Sequence, residues 1–259
     1  TINNGIVTGQ DSVGGFVGQI SSSRNITTAI SNSTNNGIVT GSETTVGGFV
    51  GCISNTNMDM TISNSINNGN VTGSKYYAGG FVGYMTVNCN VTLTISNSIN
   101  NGNATVSESY VGGFVGCIYS SSYPDSMLLN LINTVNKGNA SSKKGMACGI
   151  VCVHPKNNYK VNTTIKNSIN RGNVNASTSA YGITNNIKMA RNVVSMGDVT
   201  GLSGSFTFWD AFIDVDLFYG LNGKCVNCSA DATLFKYSAN TGFYEVVKTG
   251  EHVHELLND

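Results

Sequence analysis

A glycine closing an Asn-x-Gly turn recurs at Gly5, Gly37, Gly69, Gly102, Gly138 and Gly172, and more weakly at Gly197, in steps of 32, 32, 33, 36, 34 and 25 residues. Between these turns, Val13–Gly18 reads Val-Gly-Gly-Phe-Val-Gly. It returns at 46–51, at 78–83 with one change and at 111–116, then decays to Ala147–Val151 and Tyr181–Ile183. A fixed period of this size is the signature of stacked repeats, in which each unit buries its apolar face only against its neighbours. Such a chain is constrained to an elongated body with long surfaces.

Residue preference decides between helical and β repeats. The recurring positions hold Val, Ile, Thr, Asn and Gly, which are poor helix formers and, for the branched ones, good strand formers. In the unit 61–85 the alternation predicts three short strands: one with Ile62, Asn64 and Ile66 inward, one with Val71 inward, and one carrying Phe81 and Met85. The Asn-Asn-Gly turn between the first two invites a left-handed conformation at Gly69. The prediction is an all-β, right-handed parallel β-solenoid (β-helix) of about six or seven rungs over 1–201, with a C-terminal capping unit over 202–259.

Stacking turns aligned positions into columns. Ile30, Ile62, Ile95, then Leu131 or Ile132, and Ile165 make one aliphatic column. Phe16, Phe49, Phe81, Phe114 and Ile150 make a second, and Val7, Val39, Val71, Ala104, Ala140, Val174 and Val199 a third. Asn3, Asn35, Asn67, Asn100, Asn136 and Asn170 share the first turn position, where amides donate and accept along the column. Asn32, Asn64, Asn97, Asn133, Asn167 and Asn192 are predicted to point inward. The second turn position (Asn4, Asn36, Asn68, Asn101, Lys137, Arg171) varies as an exposed site does.

The Gly-Gly-Phe-Val-Gly core at 14–18, 47–51, 79–83 and 112–116, each with an upstream Asn-x-Gly-x-Val/Ala, resembles the GLUG-type repeats of large surface and secreted proteins of bacteria and some protists. The resemblance covers about 1–200 and none of the tail, and Phe stands where an aliphatic residue is usual. It implies an adhesin-like or stalk-like role at the cell surface or outside the cell, with cell-surface glycans or proteins as partners. A chain beginning inside a repeat is expected to belong to a longer parent protein.

Composition narrows the function classes. Charged residues are 11% of the chain and formal net charge is +0, so no basic stripe exists to neutralise phosphates, and nucleic acid is not an expected partner. No apolar run approaches the roughly 18 residues needed to span a bilayer. Asp11, Glu43, Lys75 and Glu108 read as scattered through variable loops, which gives no converging catalytic group, so no enzyme activity and no cofactor are predicted. Outward hydroxyl rows such as Thr61/Ser63/Ser65 are too irregular from rung to rung for an ice-binding face.

Nine Asn-x-Ser/Thr sequons occur, at Asn25, Asn32, Asn70, Asn90, Asn103, Asn139, Asn162, Asn175 and Asn227. Asn70, Asn103 and Asn139 fall at an outward post-turn position, and Asn25, Asn90 and Asn162 in the loop before the first strand. These six are the glycosylation candidates, whereas Asn32, in the inward column, should stay unmodified.

Of seven cysteines, Cys52 and Cys117 occupy one repeat position two rungs apart, too far for a disulfide. Cys117 lies one rung from Cys148 and Cys152, which leaves either a bridge there or buried thiols packing as small apolar groups. Cys225 and Cys228 are candidates for a local disulfide. With His252 and His254 they match no usual zinc spacing, so no metal site is predicted.

The tail holds the only Trp in an aromatic run, 205–219. It reads as a cap over the open end of the coil, or as a ligand platform in which Trp209, Phe212 and Tyr219 stack on sugar rings. Asp214 and Asp216, with Asp210 near, are the carboxylates such a site could use for Ca²⁺, or for the acid pair of a polysaccharide-degrading β-helix enzyme.

Overall fold

The computed structural model describes residues 1–22, 25–55, 58–87, 91–120, 127–154, 161–185, 189–195 and 197–201, together with the backbone of strands Thr233–Ser238 and Phe243–Thr249. Every regular element among these is a β-strand. The strands of 1–201 stack into four parallel sheets, A to D, so that the chain coils as a parallel β-solenoid. In one period, sheet A takes Met58–Ser63 and Ile66–Asn67, sheet B takes Val71–Gly73, sheet C takes Tyr77–Gly79 and sheet D takes Val82–Val87.

Four sides replace the three predicted strands because the glycine-rich segment bends between Gly79 and Val82 and serves two sheets. Sheet D has five strands, sheet C six and sheet B seven. Five turns therefore close all four sides, rather than six or seven. The last rungs add strands to A, B and C only.

Register holds each expected column. Ile30, Ile62, Ile95, Leu131 and Ile165 align, so Leu131 rather than Ile132 faces in. Phe16, Phe49, Phe81 and Phe114 stack with ring centroids 4.9, 4.6 and 4.8 Å apart, matching the strand spacing of about 4.8 Å. The Val7-to-Val199 column is also in register. The interior is split in two. Phe, Met, Leu and Ile side chains fill the space between sheets A and D, and Val and Ala fill a narrower space at sheets B and C.

Between the compartments runs the first-position asparagine ladder. Asn3, Asn35, Asn67, Asn100 and Asn136 each donate through Nδ2 to Oδ1 of the next asparagine at 2.7–2.8 Å, ending at Asn170. Each amide from Asn35 to Asn170 also donates to the carbonyl of the turn glycine two residues on. Every amide in the buried stretch therefore has partners, which is what permits it to lie in the interior.

Two predicted details are overturned, and one cause covers both. The left-handed residues are Asn32, Asn64, Asn97, Asn133 and Asn167, with φ of 48–52°, and not the turn glycines. A left-handed residue interrupts the strand alternation, so the phase resets: Ile62 points in, Asn64 points out, and Ser65 is buried. Asn32, Asn64, Asn97 and Asn167 are exposed and Asn133 is half-buried, not inward, and the sequon at Asn32 is accessible; the side chain of Asn192 lies outside the described residues. Short polar side chains that bond locally tolerate this conformation best. The turn glycines are required for close approach instead: a Cβ on Gly69 would lie 1.9 Å from the Gly37 carbonyl oxygen of the preceding turn.

Sheet D ends at Val151–Val153. Beyond it Asn185 stands in for a strand. Its Oδ1 accepts from the Val153 N–H at 2.7 Å and its Nδ2 donates to the Val153 carbonyl at 2.6 Å. One side chain thus satisfies both backbone groups of an edge residue, the groups that leave an open edge prone to pairing. In the tail, Thr233–Ser238 and Phe243–Thr249 form an antiparallel hairpin.

Candidate binding surface

Along strands of sheets C and D, alternate residues leave the core and line the outer corner where the two sheets meet. In sheet C that position is Thr45, Tyr77 and Tyr110 in successive turns, preceded by Ser12. In sheet D it is Gln19, Cys52, Tyr84 and Cys117, and two residues further along Ser21, Ser54, Thr86 and Tyr119. The corner is re-entrant because glycines pinch it: a Cβ on Gly79 would lie 2.1 Å from the Val82 carbonyl oxygen.

Tyrosines fill the corner over the middle turns. Tyr77 stacks on Tyr84 with centroids 4.5 Å apart and on Tyr110 at 5.9 Å, both nearly parallel. His154 meets Tyr110 and Tyr119 edge-on at 5.6 and 5.3 Å. Tyr76 packs beside Tyr77 and is 43% exposed; Tyr77, Tyr84, Tyr110, Tyr119 and His154 are half-buried. Beneath them Cys117 is fully buried.

Burial favours the protonated form of the Tyr77, Tyr84 and Tyr110 phenols. It pushes Tyr77 up to about 12, with smaller contributions from Cys117 and Tyr110, and raises Tyr84 and Tyr110 in the same way. The groups acting on all three are cysteines, other tyrosines and the hydroxyls of Ser109 and Thr86. Burial likewise raises the thiols of Cys117 and Cys52, so neither is a ready nucleophile.

The fold does not demand aromatics here. Ser12 and Thr45 occupy the Tyr77 position in the first two turns, and Gln19 and Cys52 the Tyr84 position, on the same backbone. The cluster is therefore a local specialisation of a tolerant column. Sequence reading missed it because it followed inward columns. The visible signal was tyrosine at 76, 77, 84, 110 and 119 against Ser, Thr and Gln at the same repeat positions elsewhere.

Next to the cluster, Cys148 and Cys152 are joined by a disulfide with Cα atoms 5.4 Å apart, while Cys52 and Cys117 are free and buried. The bridge does not involve Cys117. It spans the C–D corner of the fifth turn, at the i,i+4 spacing of Gly14/Gly18, Gly47/Gly51, Gly79/Gly83 and Gly112/Gly116, so a covalent link stands where earlier turns have a pinched glycine pair. Met146, Tyr110 and Tyr181 pack around it.

The charged loop residues are not scattered. Asp11, Glu43, Lys75, Glu108 and Lys144 all fall two residues beyond the sheet-B strand. Lys75 is paired with Glu43, and Lys144 with Glu108 at 3.4 Å. Among the described residues no group of three or more potential metal ligands comes together.

Of the glycosylation candidates, Asn25, Asn70, Asn103 and Asn139 are exposed. Asn162 is half-buried and lies inside strand Val161–Asn170, not in a loop. Asn70, Asn103 and Asn139 face outward from sheet B, and the Oδ1 of each accepts the N–H of the following turn. Asn90, Trp209, Phe212, Asp214, Asp216, Tyr219, Cys225 and Cys228 lie outside the described residues, as do His252 and His254. No protein-family model matches the chain, and no curated protein or solved structure shows significant similarity to it.

Proposed function

We propose that this chain is a structural and adhesive segment of a large extracellular or cell-surface protein: a stiff coil that presents side chains at rung spacing. The observation that carries the reading is the tyrosine cluster at the outer C–D corner, because the fold itself is satisfied there by Ser, Thr and Gln. Half-buried tyrosines such as these are typical of contact surfaces. The buried Cys148–Cys152 disulfide supports an oxidising, extracytoplasmic setting. The GLUG-like repeat is consistent with such a parent protein, and no catalysis is part of this reading.

The test is adhesion by the folded chain. Beads coated with the protein should be retained on cells or extracellular matrix, and beads coated with the heat-unfolded protein should not. Equal retention of both, or of neither on any surface, rules out an adhesive role and leaves at most a passive spacer.

A further inference from the structure

We infer that the corner formed by Tyr76, Tyr77, Tyr84, Tyr110, Tyr119 and His154 is a binding site for an uncharged carbohydrate chain. The inference rests on the adhesive reading and names the class of ligand.

Three observations point to it. The first is placement. The aromatics are confined to the third, fourth and fifth turns, and the columns of Tyr77, Tyr84 and Tyr119 hold Ser, Thr, Gln or Cys in the first two turns, so the aromatics make a short strip along the coil axis, about two rung spacings or 10 Å long. A strip this narrow suits a linear chain better than a globular partner, which buries about 800 Å² on each side.

The second is charge. The groups that act on Tyr77, Tyr84 and Tyr110 are cysteines, other tyrosines and hydroxyls; no Asp, Glu, Lys or Arg is among them. The nearest charged column, Glu43–Lys75–Glu108–Lys144, alternates in sign; Lys75, the member that acts on Tyr76, is paired with Glu43, and Lys144 with Glu108. Nothing here would select an acidic polysaccharide, a phosphate or a basic peptide.

The third is hydrogen-bonding character. The rings of Tyr77, Tyr84 and Tyr110 stack in parallel, and the hydroxyls of the first two lie among others: Tyr77 bonds the Ser109 side chain and Tyr84 that of Thr86. Each phenol stays protonated and can both donate and accept, which complements a polyol. Tyr76 and Tyr119 flank the stack, where ring faces can meet the apolar face of a sugar ring.

The neighbouring turns supply the test variant. Tyr77→Thr, Tyr84→Gln and Tyr110→Thr install the residues that Thr45 and Gln19 already hold at the same positions, so the coil is expected to form. Circular dichroism and the melting curve check this. Affinity gel electrophoresis of the wild-type protein is run through laminarin, galactomannan, arabinoxylan and hydroxyethyl cellulose, with heparin and non-glycosylated gelatin as charged and protein arms.

The expected result is retardation by at least one neutral polysaccharide, weakened tenfold or more in the folded triple variant. Tyr119→Ser, which installs the residue of Ser54, should weaken it by a smaller factor. Four results overturn the site: no retardation by any neutral chain; equal retardation of the triple variant; tyrosine-dependent retardation by heparin or gelatin instead; or loss only on Trp209→Ala, which moves binding to the C-terminal unit. Bead adhesion that persists while polysaccharide binding is absent sinks the carbohydrate assignment alone. Failure of both assays sinks the adhesive reading as well.

Discussion

Replacing Asn100 by Ala removes the centre of the buried amide ladder. Asn100 is fully buried, accepts from Asn67 Nδ2 at 2.8 Å, and donates to Asn136 Oδ1 and to the Gly102 carbonyl, both at 2.8 Å. The substitution orphans one N–H and two oxygens in the interior. A buried group left without its partner costs about 1–3 kcal/mol. Taking roughly 1–1.5 kcal/mol for each of three groups gives a loss of about 3–5 kcal/mol. For a body of this size that lowers the melting temperature by roughly 6–20 °C.

Asn68→Ala is the matched control. Asn68 sits one residue past the buried column, is exposed, and makes the same two ladder bonds, to Asn36 and from Asn101 at 2.8 and 2.7 Å. Water replaces its partners, so its loss should stay under about 1 kcal/mol. Thermal and urea unfolding followed by circular dichroism compare the two. If Asn100→Ala loses no more than Asn68→Ala, the interior ladder is not what holds the two compartments together.

Other expectations are equally direct. Gly113→Ala puts a Cβ 2.1 Å from the Gly149 carbonyl oxygen and 2.5 Å from the Asn136 side chain, so it should cost at least about 3 kcal/mol, seen as loss of the cooperative melt. Asn64→Gly, at φ 49°, should be near neutral, whereas Asn64→Ala should cost about 1–2 kcal/mol; a neutral Ala variant would deny the left-handed conformation. Breaking Cys148–Cys152, whose partners are 4 residues apart, should cost about 2 kcal/mol for so short a loop, read as a lower melting temperature for the Cys148→Ser/Cys152→Ser pair. Folding raises the Tyr77 phenol from 10.0 to about 12, so the folded chain holds a proton the unfolded chain releases. The stability linked to it is whole below pH ~10 and falls as pH rises towards ~12; a wild-type minus Tyr77→Phe difference spectrum that places the Tyr77 phenolate in the ordinary tyrosine range, without unfolding, would contradict this.

Much of the coil could be read from the sequence because stacking makes neighbours of residues one period apart. Isoleucine, phenylalanine and asparagine recurring at fixed spacing can satisfy one another only in columns, and these were legible. Strand phase was legible only until a residue left the extended conformation. Nothing about Asn64 in isolation tells that it turns left-handed, and the inward assignment of its column failed at that point. The fourth side escaped because a two-residue bend in Gly79–Val82 looks locally like a continuous strand. The tyrosine cluster was hidden for a different reason: it depends on the outward faces of two sheets meeting at a corner, and no single strand carries that geometry.

The alternating column Glu43, Lys75, Glu108, Lys144 acquires a meaning from the sameness of everything beneath it. Successive turns carry nearly interchangeable Ile, Phe and Asn contacts, so a turn could stack on the wrong neighbour and still bury its core. With turn three skipped, Glu43 would face Glu108; with turn four skipped, Lys75 would face Lys144. From the second turn to the fifth, each correct neighbour brings opposite signs together, and each single skip brings like signs together, at a cost comparable to what a surface pair contributes; Asp11, beside Glu43 in the first turn, lies outside the alternation. Weak as stabilisers, these exposed charges act as an address: they mark the order of the turns where the hydrophobic columns, by their repetition, cannot.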